Sequence, residues 1–320
     1  MSNFYWERKH IVDIGNLSVK EIEIIMDLTD RFFVGLKQSK VEEPILKGKK
    51  LLTLFYENST RTRCSFELAA KNLGAEVIDI SVATSAVKKG ETLADTVDNL
   101  VAMGINAVVV RHSSSGICDQ LARSLTKEIP VLNAGDGLHE HPSQGLLDFY
   151  TMRKALKEVK EKKITIVGDI LHSRVAHSNI SILNKFGADV HIVGPSTLLP
   201  MGIEKMGVTK HHFLEPAIRD ADLIMMLRMQ LERQKDGIIP SLGEYVKLYG
   251  LTSNDYTKRL KVMEYLLNLA FIDKEFSNSE RMITEDISNA LNIKIEDFNN
   301  LIKTFENFYA QQASNKAITL

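Results

Sequence analysis

Nine residues, Glu57-Asn58-Ser59-Thr60-Arg61-Thr62-Arg63-Cys64-Ser65, interleave hydroxyl and guanidinium groups directly after a short apolar run ending at Tyr56. Arginine offers a phosphate or carboxylate a planar, two-pronged set of N–H donors. Placed between a strand and a helix, such a segment adds the free N–H groups and positive end of the helix, which favour an anion. The local alternative is that Ser59 or Thr60 caps the helix while the arginines face water. Two arginines among three hydroxyls at a strand's carboxyl end favour an anion-binding loop over Glu57 to Ser65.

Further polar residues stand at the ends of apolar runs. Arg111 closes Ala107-Val108-Val109-Val110, where a buried charge needs an anionic partner. Lys88 and Lys89 precede Gly90 and a helix start; alone, this is a solvated turn or a mobile pair of cations. Asn133 to Gln144 is a glycine-rich loop in which His139 and His141 have H-x-H spacing. No third ligand follows at a useful distance, so no metal is expected. His141 and Gln144 are better suited to hydrogen bonding a carbonyl and an amide. Gly168 to Ser178 lacks the full G-x-G-x-x-G pattern, and no G-x-x-x-x-G-K-[ST] loop occurs, which argues against dinucleotide and ATP chemistry. Arg174 and the pair Arg228 and Gln230 supply two forks for carboxylates, or alternatively surface ion pairs. His211 and His212 read as surface residues.

These groups need elements to position them. Ser18 to Lys37 reads as a helix with a capping box at Ser18 and Glu21 and an apolar face from Ile22 to Phe33. Strands are expected at 51–56, 77–80, 107–111, 131–133, 164–167, 190–193 and 223–227. Helices are expected at 63–73, 92–103, 117–125, 145–158 and 176–186. Strands alternating with helices imply an α/β protein of two domains, each a parallel sheet flanked by helices, meeting near residues 140 to 150. Ligands in such sheets lie beyond the carboxyl ends of the strands, the ends where the polar residues cluster.

The chain of 320 residues is long for one core, and its net charge of −1 argues against nucleic acid as main partner. Its two cysteines, Cys64 and Cys118, form no disulfide framework and read as packing. Charges at the N-terminus and the lack of a long apolar run point to a cytoplasmic protein.

The segments Ser59-Thr60-Arg61-Thr62-Arg63, Lys88 to Thr96 (KKGETLADT), His141-Pro142-Ser143-Gln144 and Arg228-Met229-Gln230 resemble aspartate carbamoyltransferase catalytic chains, in order and spacing, from about residue 9 to 255. The resemblance implies a carbamoyl phosphate-binding domain over 1–140 and an aspartate-binding domain over 141–255, with the active site in the cleft between them. It also implies a homotrimer with shared active sites, to which regulatory chains attach in some members. Carried over, Ser59, Thr60, Arg61 and Thr62 hold the phosphate. Arg111, His141 and Gln144 orient the carbamoyl group, and Ser85 and Lys89 reach in from the neighbouring chain. Lys89, Arg174, Arg228 and Gln230 take the aspartate, and Glu91 steadies arginines of the site. The implied catalytic residues are Arg61, Arg111, His141 and Lys89. The reaction transfers a carbamoyl group from carbamoyl phosphate to the amino group of L-aspartate in pyrimidine biosynthesis, with no metal, cofactor or covalent intermediate.

Two departures stand out. Val175 occupies a position where threonine is usual. The family's HPxP-like loop has no counterpart, and no proline lies beyond Pro240. A divergent helical segment is expected over 256–320, with a stripe at Ile295, Phe298, Ile302, Phe305 and Tyr309 for packing. Alternatives to the working enzyme are a carbamoyl phosphate-binding homologue without turnover and a transcarbamoylase for another amino acid.

Overall fold

The computed structural model of the chain describes residues 6, 8–37, 44–80, 92–126, 129–229, 241–250, 260, 263, 264, 267, 278–291 and 293–317. They fall into two compact units, residues 1–249 and 250–320.

The first unit holds two four-stranded sheets. Helix α1 (Val19–Lys37) precedes strand β1 (Lys50–Phe55), helix α2 (Thr60–Asn72), strand β2 (Glu76–Ile80), helix α3 (Leu93–Ala102), strand β3 (Ala107–His112), helix α4 (Ile117–Ser124) and strand β4 (Val131–Asp136). Helix α5 (Pro142–Leu156) leads to strand β5 (Lys163–Val167), helix α6 (Arg174–Lys185), strand β6 (Asp189–Val193), strand β7 (Thr209–His211), helix α7 (Leu214–Ile218), strand β8 (Leu223–Met226) and helix α8 (Leu242–Tyr249). All pairings are parallel, in the orders β2-β1-β3-β4 and β7-β6-β5-β8.

Those orders matter for the site. The chain runs from β1 outward to β2 and then crosses back to β3, so strand order reverses between β1 and β3. The same reversal occurs between β5 and β8. At each reversal the flanking loops diverge to opposite faces and leave a crevice at the carboxyl ends.

The inner strands β1, β3 and β5 are mostly apolar without polar alternation because both faces are covered. Leu52, Leu54, Val108 and Val110 pack with Val97, Val101 and Leu121 on one face. Leu51 and Val109 pack with Ala70 and Ala134 on the other, as a two-residue side-chain period requires. In the second sheet, Ile164, Ile166 and Ile192 join Ile22, Met26, Phe149, Ile180 and Leu183, and Val167 and Val193 join Ala217, Tyr245 and Tyr249. The capping box at the start of α1 forms as expected, with Ser18 N donating to Glu21 Oε2 at 2.7 Å and Glu21 N to Ser18 Oγ at 3.2 Å.

Several boundaries move. α2 starts at Thr60 rather than Arg63, and α5 at Pro142 rather than Gly145. Proline at the first helical position costs no hydrogen bond and has its φ preset for a helix. The hydroxyls and guanidiniums of the first segment, and the His-Pro-Ser-Gln run, therefore sit in first helical turns and not in loops. Strand β7 and the short α7 were not expected; Thr209-Lys210-His211 is a polar edge strand without an apolar signature. His211 lies half-buried in it, its Nε2 2.7 Å from His191 Nδ1. Cys64 is exposed on α2, whereas Cys118 is buried and its thiol is pushed up by that burial.

In the second unit, helices α9 (Asn278–Ala290) and α10 (Ile295–Ala317) flank a core of Met263, Leu267, Ile293, Phe298 and Ile302, with Phe305 packed against it. Ile295 is exposed at the start of α10 and does not belong to the stripe. No described helix is long and apolar enough to cross a membrane.

Candidate active site

An open cleft of about 1080 Å³ is lined from both reversals. The β1 end contributes Asn58 to Thr62 and Ser65, and the β3 end contributes Arg111. His141, Ser143, Gln144 and Asp148 come from the start of α5. Ser173, Arg174 and Val175 follow β5, and Met225 to Arg228 lie at the end of β8. The sequence-selected Ser59, Thr60, Arg61, Thr62, Arg111, His141, Gln144, Arg174 and Arg228 are thus brought to one cleft. Ser85, Lys89, Glu91 and Gln230 lie outside the described residues.

At the β1 end, Ser59 is the N-cap of α2 in extended conformation, and its side chain makes no capping hydrogen bond. No acidic residue occupies the first turn of α2. That combination preserves the anion preference of a helix N-terminus. Arg61 is exposed on this turn. Arg63 points elsewhere and pairs with Glu67 at 3.5 Å and Asp79 at 3.3 Å. Of the two arginines that suggested the anion site, only Arg61 lines it.

Arg111 and Arg174 are buried in the middle of the cleft, and Glu57 joins them. Glu57 Oε1 accepts from Arg111 Nη2 at 2.6 Å and from Arg174 Nη2 at 2.6 Å; Glu57 Oε2 accepts from Arg174 Nη1 at 3.2 Å. Arg111 Nη1 also donates to Ala134 O, and Arg174 Nη1 to Gly137 O. Two guanidiniums at close range repel each other, and the shared carboxylate offsets that repulsion. Gly135 makes room for the pair: it has φ of +114°, and a Cβ there would lie 2.8 Å from Arg174 Cζ and 3.0 Å from Arg111 Nη1. The sequence reading singled out neither Glu57 nor Gly135 as site residues. A carboxylate at the end of a buried strand and a glycine one residue past Ala134 were the available signals.

The turn after β4 is wired by Asp136, which is fully buried. It accepts from Asn133 Nδ2, Gly116 N and Glu140 N, and it holds the His139 imidazole, whose pKa it raises. His141 faces the other way, its Nε2 3.5 Å from Arg111 Nη1 and its Nδ1 3.3 Å from Ser143 Oγ. The H-x-H pair thus serves two separate partners.

α5 and α6 carry the remaining groups. His141 N donates to Ser178 Oγ at 2.9 Å, and Ser178 Oγ donates to Glu140 Oε2. Burial pushes the Glu140 carboxyl up to about 7, with Ser178 and His139 opposing and Asp13 and Asp136 adding to it. Gln144 Nε2 donates to Asp148 Oδ1 and Asn179 Nδ2 to Asp148 Oδ2, each at 2.8 Å. Burial raises the Asp148 pKa against those two bonds.

The cleft thus has Arg61, Arg111, Arg174 and Arg228 against the carboxylate of Asp148 on its lining. It suits a strongly anionic ligand or pair of ligands, with phosphate at the α2 end and carboxylates toward β5 and β8.

Comparison with known proteins agrees in kind. Residues 9–154 match the family model described as aspartate/ornithine carbamoyltransferase, carbamoyl-P binding domain. The aspartate carbamoyltransferase catalytic subunit of Desulforamulus reducens is 48% identical over 260 residues, which span 81% of this chain and 81% of that one. The catalytic subunit of Moorella thermoacetica is 50% identical over 246 residues, 77% of this chain and 80% of the relative. Among solved structures, aspartate transcarbamoylase of Trypanosoma cruzi in complex with carbamoyl phosphate and aspartate is similar with a TM-score of 0.68 and 27% identity, covering 78% of this chain and 81% of that one.

Proposed function

The chain belongs to the aspartate/ornithine carbamoyltransferase family, among chains named aspartate carbamoyltransferase catalytic subunit, and from that premise we propose how its own residues carry out carbamoyl transfer to L-aspartate. The observation that carries the reading is the cation-lined cleft at two strand-order reversals, with an uncapped helix N-terminus at one end and two guanidinium forks at the other.

Carbamoyl phosphate sets its phosphate on the first turn of α2, where backbone N–H groups, Ser59, Thr60, Thr62 and Arg61 converge. Its carbonyl oxygen faces Arg111 and His141. With His141 Nδ1 accepting a hydrogen bond from the Ser143 hydroxyl, the neutral ring carries its proton on Nε2, which is a second donor to that oxygen. The carbamoyl amide faces Gln144. Aspartate places its carboxylates on Arg174 and Arg228, and Gln230 is assigned to the same substrate. The neutral amino group attacks the carbamoyl carbon, and the carbonyl π-electrons move onto oxygen, where Arg111 and His141 stabilise the oxyanion. The carbonyl re-forms as the C–O bond to phosphate breaks; phosphate departs with the electron pair and takes up the proton that the nitrogen loses. The products are N-carbamoyl-L-aspartate and phosphate. Much of the acceleration comes from holding the two anions side by side.

Residues 1–140 form the carbamoyl phosphate-binding domain and residues 141–255 the aspartate-binding domain, with His141 and Gln144 at the start of the second serving the carbamoyl group. Ser85 and Lys89 are supplied by a neighbouring copy in a cytoplasmic homotrimer, and Glu91 steadies arginines of the site. Single substitutions separate the two ends of the cleft. Arg61→Ala lowers kcat and raises the KM for carbamoyl phosphate, whereas Arg174→Ala raises the KM for aspartate. A shift of the same constant by both variants, or transfer to ornithine in place of aspartate, overturns this assignment.

A further inference from the structure

Gln144 has one amide to present to the cleft, and which end it presents decides what it can recognise. Its Nε2 is already committed, donating to Asp148 Oδ1 at 2.8 Å. The carbonyl oxygen is therefore the end left to meet a ligand, as an acceptor. What fixes that choice is Asp148, since a carboxylate accepts and never donates when ionised. Asp148 is fixed in turn from α6, where Asn179 Nδ2 donates to its Oδ2 at 2.8 Å and to Val175 O at 2.9 Å.

Two features of this chain of bonds work against stability. Asn179 Oδ1 is buried and has no hydrogen-bond partner among the described residues, a state that disfavours the fold. The Asp148 carboxylate is largely withdrawn from water, which disfavours its charged form. An apolar pair at 148 and 179 would avoid both costs. The arrangement also ties the start of α5 to α6, which begins with Arg174, a cleft residue, about one turn before Asn179.

We propose that Asp148 and Asn179 are positioning residues for carbamoyl transfer, acting through Gln144 to hold its carbonyl oxygen toward the amide of the carbamoyl group. The inference rests on the functional reading given above. Turned the other way, Gln144 would set an NH2 against the carbamoyl NH2, two donors with no acceptor between them. Because Asn179 sits on the helix that carries Arg174, the same relay links the carbamoyl-recognising amide to the helix that receives aspartate.

The test is a double-mutant cycle with D148N, which keeps shape and volume but replaces one of the two acceptors with an N–H donor, so that position 148 can no longer accept from both Gln144 and Asn179. Steady-state kinetics are measured on the wild type, D148N, Q144A and D148N/Q144A, with N179A and N179A/Q144A as a second pair in case D148N folds poorly. D148N and N179A are expected to lower kcat/KM by about 10-fold or more, as a misplacement of about 1 Å does. In the Q144A background neither adds a further loss, because their effect passes through a side chain already removed. Losses that multiply in the double variants, or an isosteric D148N with wild-type kinetics, overturn the relay while leaving the assigned reaction standing. Absence of aspartate-dependent turnover in the wild type overturns the reaction and the relay together.

Discussion

Glu140 accepts the Ser178 hydroxyl bond directly beside His141, and its carboxyl is buried. Burial is the main cause of its pKa rise to about 7, and Asp13 and Asp136 reinforce it. A carboxyl with a folded pKa above its unfolded value of 4.5 binds its proton more tightly in the native state. Its contribution to stability is therefore full below about pH 4.5 and is lost as pH rises through about 7. Glu140→Gln keeps an acceptor for Ser178 and removes the ionisation. The variant should be closest to wild type at pH 5 and gain on it by pH 8, by up to about 3 kcal/mol. Thermal midpoints at the two pH values check this, and a gap that does not change with pH contradicts it. The neighbouring Glu57 shows what a single residue can hide: its partner Arg174 lies 117 positions away. Reading strand ends pointed to Arg174 but not to Glu57 as a site residue, and only the folded chain shows that the two share a bond.

At the scale of elements, α5 and α6 set the width of the cleft. Gly145 lets them approach, since a Cβ there would stand 2.9 Å from Ser178 Cβ. Gly145→Ala should push the helices apart, cost about 1–3 kcal/mol as overpacking does, and lower the urea midpoint. Gly243→Ala, in the exposed part of α8, meets nothing nearer than 3.9 Å and should be neutral or slightly stabilising; equal destabilisation by both contradicts the packing argument. The strands were legible because Leu51 to Phe55 and Ala107 to Val110 are covered on both faces and so stay apolar but for Thr53. The starts of α2 and α5 were misplaced by three residues each. Thr, Arg and Ser carry no apolar periodicity, and the His-Pro-Ser-Gln run was read as part of the polar loop before α5 rather than as its first turn. Strand β7 escaped because an edge strand of Thr209, Lys210 and His211 has only one partner and few apolar contacts.

At the scale of the molecule, two sheets with matching reversals turn their carboxyl ends to one cleft, which hydroxyls and Arg61 line from α2 and Arg174 and Arg228 from β5 and β8. Which ends carry arginine and hydroxyl groups could be read from the sequence. That Gly135 admits two guanidiniums, and that Glu57 holds them, could not, because both follow from the way loops of separate strands converge. The central claim is that this cleft joins its two anions. The direct measurement is formation of N-carbamoyl-L-aspartate from isotopically labelled carbamoyl phosphate by the purified chain, with aspartate present or omitted. Labelled product that requires aspartate, matches phosphate release one for one and is strongly reduced in Arg61→Ala is the predicted result. Phosphate release without aspartate dependence, or tight binding of carbamoyl phosphate with no labelled product, contradicts it.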